Sequence, residues 1–136
     1  MNKLTGFALP AWKTQGVKNW KLDHTYVADD TGRAWGCNGR VSGGIPICSG
    51  LGNGNHADCL AQPNRKAGII YGLGGVCHQM ANRILLSANV QVSQARGYSL
   101  SLLLFGEFGL DQNGIEYDPI TYPWPELAYC SANHNH

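Results

Sequence analysis

The chain has 136 residues, enough for one domain whose core needs no staples. Hydrophobic residues make up 43% and charged residues 14%, which excludes a disordered chain and fits a compact body with a lightly charged surface. Ten basic residues against nine acidic ones, a net charge of +1, leave no electrostatic footprint for nucleic acid or an anionic membrane.

The opening stretch, MNKLTGFALPAWKTQGVKNW, has scattered apolar residues but no continuous run, because Pro10, Lys13 and Gln15 interrupt it. Neither a signal peptide nor a membrane anchor is expected there. Trp20–Val41 reads as a β-hairpin. Its first limb, Lys21–Ala28, carries Leu22, His24, Tyr26 and Ala28 on a face expected to point inward, and DDTG supplies the turn. A turn centred near Thr31 sets Cys37, Asn38 and Gly39 opposite His24, although a slip of one residue would exchange the faces. Ser42–Gly68 is dense in glycine, proline and asparagine and reads as a long surface excursion, with one helical turn at His56–Ala61.

From Cys77 to Ala88 the pattern is helical, with Cys77, Ala81, Ile84, Leu85 and Ala88 on one face and Gln79, Asn82, Arg83 and Ser87 largely elsewhere. Val90–Gly109 reads as strand, and its LSLLLF segment at Leu100–Phe105 is too short to span a bilayer. The tail YDPITYPWPEL has three prolines and reads as an irregular wrap. The expected architecture is a single α+β domain over residues 1–136, an antiparallel sheet with a cysteine-bearing helix packed on it.

The five cysteines, Cys37, Cys48, Cys59, Cys77 and Cys130, are an odd number. Free thiols with at most one or two bridges are the expectation. Cys37, Cys48, His56 and Cys59 are candidate zinc ligands, but ten-residue gaps between the cysteines match no compact knuckle. A disulfide between two of those three cysteines is the comparable alternative. No metal and no cofactor is expected.

Cys77 stands where YGLGGV turns into a helix. A thiol attacks as thiolate, and the free amides and partial positive charge of a helix N-terminus stabilise that anion. The same amides can hold the oxyanion of a tetrahedral intermediate, and the preceding glycines clear the approach. A nucleophile also needs a base. Successive side chains on a helix diverge by about 100 degrees, so His78 faces away from the sulfur and suits a structural role. His24 is the better base, and Asn38, across the hairpin, is the residue to orient its ring. The competing reading makes Cys77 a core residue touching Ala81 and Ile84.

A histidine strand (DHTYVADDTGRAWGCNGR) followed by a cysteine helix (YGLGGVCHQMANRIL) resembles the circularly permuted branch of the papain-like superfamily, as in permuted NlpC/P60 peptidases and lecithin retinol acyltransferase-like enzymes. The resemblance implies a cysteine hydrolase that cleaves an amide, in a cell-wall peptide or a protein side chain, through a thioester. Cys77 would be the nucleophile, His24 the base and Asn38 the orienting group, with Tyr71, Trp35 and Gly75 at the substrate. It also implies a small secreted bacterial effector delivered without a cleaved leader, with a cytoplasmic protein as the alternative, and an immunity or inhibitor protein as partner. The competing functions are a non-catalytic binding module, and a glutamine deamidase or acyltransferase using the same pair.

Overall fold

The computed structural model describes residues 1–10, 23–36 and 41–134. Among these residues the sheet has four antiparallel strands in the order β3-β2-β1-β4: β1 (Asn2–Pro10), β2 (Asp23–Asp29), β3 (Ala34–Trp35) and β4 (Ile45–Gly52). Among the described residues there are four α-helices: α1 (Gly54–Ala61), α2 (Cys77–Ile84), α3 (Tyr98–Phe105) and α4 (Pro125–His134). None is long and apolar enough to cross a membrane.

No strand was expected at the N-terminus, yet β1 is central. Its signal is alternation: Leu4, Gly6 and Ala8 lie on one face, with Thr5, Phe7 and Leu9 on the other. The expected hairpin is present, with Val27 paired to Trp35 and Ala28 to Ala34. Asp29 builds its turn. One carboxylate oxygen accepts from the amides of Thr31 and Arg33 at 3.0 Å each and from the Thr31 hydroxyl at 2.7 Å, and the other accepts from Arg33 Nε at 2.9 Å. Burial pushes this carboxyl up, but those hydrogen bonds together outweigh it and hold Asp29 below the ordinary carboxylate range. Cys37 and Asn38, expected across from His24, lie outside the described residues.

Three expectations are corrected. Ser42–Gly68 is not an irregular excursion: it contains β4, paired with β1, and α1, which includes the helical turn expected at His56–Ala61. Pro46 is accommodated because β4 is an edge strand, and Asn53 caps α1 by accepting from the His56 amide at 3.0 Å. Val90–Gly109 is not strand but a loop followed by α3, bracketed by Gly97 and Gly106 at positive φ. A leucine run without periodicity fits either element, and here the bracketing glycines mark a helix. The tail does hold irregular bridged turns at Leu110–Tyr122, but Pro125 then opens α4, because proline's missing amide costs nothing at a helix start.

The main core forms where α2 meets the sheet. Ala81, Ile84 and Leu85 pack with Leu4, Val27, Trp35 and Val92. These sheet residues lie on the Val27 face of β2. His24 lies on the opposite face with Tyr26, which stacks on Phe7 at 5.1 Å. Both faces are buried, so the inward-facing expectation for His24 holds in burial, at 2% exposure, but α2 lies against the other side. A second cluster joins Cys59, Leu60, Phe108, Trp124, Leu127 and Cys130. Here Cys59 and Cys130 form a disulfide between α1 and α4, so the bridge does not link two of Cys37, Cys48 and Cys59, and Cys59 cannot ligate zinc.

Candidate active site at the edge of the second strand

The site is organised by Asp23. Both of its backbone groups point away from β1: its amide donates to Arg96 O at 2.8 Å, and its carbonyl accepts from His78 Nε2 at 2.8 Å. Its carboxylate accepts from the Arg96 amide at 2.8 Å and from Arg96 Nε at 3.0 Å. The start of β2 is thereby pinned to the loop before α3 and to the first turn of α2. Cys77 Sγ lies 3.9 Å from the same Asp23 carbonyl. The thiol therefore meets β2 at its edge, against the peptide unit that joins Asp23 to His24. Cys77 is 8% exposed and His24 lies one peptide bond from that contact.

Valine occupies the N-cap position of α2 and gives no side-chain cap, while Gln79 Oε1 accepts from the Val76 amide at 3.1 Å. Ser, Thr, Asp or Asn at that position would satisfy one of the first-turn amides. The glycine loop before the helix is fixed by close backbone contact. Gly74 O accepts from the Leu110 amide at 2.7 Å, and a Cβ at Gly74 would lie 2.8 Å from Leu110 O.

The polar residues of α2 were expected away from its packed face, yet His78, Gln79, Asn82 and Arg83 are all 0% exposed. Each one fastens a neighbouring segment. His78 Nδ1 meets Ser101 Oγ of α3 at 2.9 Å, and since its Nε2 faces a carbonyl, Nε2 carries the hydrogen. Both ring nitrogens are engaged, which fits the structural role expected for His78. Gln79 Nε2 donates to Gly106 O at 3.0 Å. Asn82 donates to Glu107 O at 2.8 Å and accepts from the Val92 amide at 2.9 Å. Arg83 donates to Phe108 O and, at 2.8 Å, to Ala67 O, with its guanidinium 4.2 Å from the Trp124 ring centroid. Burial lowers the Arg83 pKa to about 9 against the opposing pull of Tyr117 and Glu126, so it stays cationic at neutral pH.

Of the residues expected at the substrate, Tyr71 is exposed and lines a cavity of about 270 Å³ with Gly36, Ala61, Pro63, Lys66, Ile69 and Met80. Gly75 is buried and pairs with Tyr71 across the glycine loop. Trp35 packs in the main core, and its Nε1 donates to Asp58 of α1 at 2.9 Å. Protein-family models, curated proteins and solved structures were compared with the chain, and none matches.

Asp23, Arg96 and Ser101 were not singled out from the sequence. Asp23 and Arg96 are 73 residues apart, beyond any local spacing rule. Arg96→Ala is expected to cost under about 1 kcal/mol, because its side chain is 46% exposed and the pair is screened. Asp23→Ala is expected to cost about 1–3 kcal/mol, since it also strands the Arg96 amide. Urea midpoints of the two variants, compared at equal slope, check the order.

Proposed function

We propose that the protein is a cysteine hydrolase of permuted papain-like fold that cleaves an amide through a thioester. The observation that carries this reading is Cys77 Sγ, at the start of a helix, lying 3.9 Å from the peptide oxygen that precedes His24. His24 takes the thiol proton around the edge of β2, and the thiolate attacks the amide carbonyl. First-turn amides of α2 hold the oxyanion. The tetrahedral intermediate collapses to a thioester as His24 protonates the departing amine, and His24 then deprotonates the water that releases the acid. The resemblance gives Asn38, outside the described residues, the role of orienting group. Deamidation of a glutamine follows the same steps with ammonia leaving, and a cell-wall peptide or protein side-chain amide is the substrate class. The disulfide suits a secreted effector working in an oxidising compartment.

The test is alkylation by iodoacetamide at pH 6 with mapping of the modified cysteine. Cys77 is expected to react ahead of Cys48, whose thiol burial pushes up, and the preference is expected to vanish in His24→Ala. Equal labelling of the two thiols, or an unchanged preference in His24→Ala, removes the pair.

One observation favours a second reading, an acyltransferase acting on a lipid ester with the same residues. The outer side of α3 exposes Leu100, Leu102, Leu103 (81%) and Leu104, while Ser101 fastens the helix to His78 beside Cys77. Cosedimentation with phosphatidylcholine vesicles that is lost in Leu103→Glu supports this reading; no cosedimentation rejects it.

A further inference from the structure

The cavity lined by Tyr71 and Met80 draws its lining from the two segments that flank the proposed nucleophile in the chain. Met80 lies one helical turn beyond Cys77 on α2, and Tyr71 begins the loop that ends at Cys77. Its volume of about 270 Å³ suits one side chain or a short acyl group. Among the described residues the rest of its lining is apolar or glycine, and Lys66 is the charged group there. Among the described residues no carboxylate lies within ion-pair distance of Lys66.

The backbone that presents this lysine is unusual. Lys66 and Ala67 have φ of 48° and 51°, and Gly68 follows at 74°. Consecutive left-handed residues that are not glycine are disfavoured, and such conformations persist only where surrounding structure imposes them. Here it does. Lys66 N donates to Gln62 O at 2.8 Å, and Ala67, fully buried, accepts from Arg83 at 2.8 Å. Gly68 has no room for a side chain, because a Cβ would lie 2.7 Å from the Trp124 ring. The buried arginine thus fixes the turn that sets the lysine at the cavity.

We propose that this cavity is the specificity pocket of the enzyme and that Lys66 binds a carboxylate carried by the substrate close to the scissile amide. The proposal rests on the reading of Cys77 as nucleophile. The carboxylate belongs either to a chain terminus or to an acidic side chain, which are the same chemistry from two sources. Tyr71 and Met80 supply the apolar contact for the attached carbons.

Three alkylating probes test it on the intact protein: bromoacetyl-alanine, with a terminal carboxylate; bromoacetyl-aspartic acid α-amide, with a side-chain carboxylate; and neutral bromoacetyl-alaninamide. At least one acidic probe is expected to modify Cys77 about fivefold faster than the neutral one at low salt, an advantage that screening reduces at 0.5 M salt as expected of about one exposed ion pair. The faster acidic probe identifies the source. The preference is expected to disappear in Lys66→Ala and survive in Lys66→Arg. Lys66→Gly, which relaxes the positive φ, is expected to keep or raise the melting temperature while losing the preference, so recognition is separated from folding. Equal rates for acidic and neutral probes, with Cys77 still labelled ahead of Cys48, overturn the pocket and leave the nucleophile standing. Failure of every probe to favour Cys77 over Cys48 overturns both.

Discussion

Arg83→Ala is expected to lower the unfolding free energy by about 3–5 kcal/mol, from two stranded carbonyls together with the void the side chain leaves. The side chain is fully buried, and it holds two loop carbonyls, Phe108 O and Ala67 O, while its guanidinium lies 4.2 Å from the Trp124 centroid and 5.0 Å from that of Tyr117. Truncation leaves both carbonyls unpaired, at about 1–3 kcal/mol each, and opens a void beneath two aromatic rings. Arg83→Met separates the contributions. It fills the void and abolishes the cost of burying a charge, but still strands the carbonyls, so about 1–3 kcal/mol is the expected loss. Arg83→Lys is not conservative here, because a single ammonium cannot reproduce the forked contact with two carbonyls and the stacking. Urea denaturation of the three variants is the measurement. A loss under about 1 kcal/mol for Arg83→Ala contradicts the account of α2 as a fastening element. Because Arg83 holds Ala67 O, its variants are also expected to loosen the Lys66 turn.

How much of this was legible in the sequence depends on whether a signal was local. The hairpin was legible because DDTG and the alternation of Asp23–Ala28 are both short-range, and the start of α2 at Cys77 because glycines stop where helix formers begin. β1 and β4 were not. They pair with each other across 37 to 50 residues of sequence, and the glycines and proline of β4 read as loop. The polar face of α2 misled for a related reason: burial on every side follows from the loops that return to it, which a helical wheel cannot show. α3 was misread because leucine runs have no period, and its exposed leucines give it no buried stripe to reveal one. At the site, Cys77 and His24 were both placed correctly in their elements. What brings the thiol to the edge of β2 is Asp23, Arg96 and His78, and those contacts exist only in three dimensions.

Loss of the Cys59–Cys130 bridge is the second large effect expected. The bridge closes a loop spanning a sequence separation of 71 residues, for which the chain-entropy argument gives about 4 kcal/mol. In a domain of this size that corresponds to a fall in melting temperature of roughly 10–15 °C. Both sulfurs are buried, Cys130 fully, so reductant is expected to act slowly on the native protein and fast on the unfolding one. The Cys59→Ala/Cys130→Ala variant avoids that kinetic complication, and its melt is the decisive measurement; a fall below about 3 °C shows that the bridge contributes little. The bridge also anchors α4, whose neighbour Trp124 stands over Arg83. Disulfide and arginine therefore both support the packing around Trp124. Removing both is expected to depart from the sum of the single losses by about 0.5–3 kcal/mol, as for other groups that share a partner. The variant without the bridge is expected to label Cys77 at the normal rate, since Asp23, His78 and Ser101 lie in the other cluster of contacts, around β2 and α3. Slower labelling would show that α4 reaches the thiol through Arg83 and the Lys66 turn, and that the bridge supports the site as well as the fold.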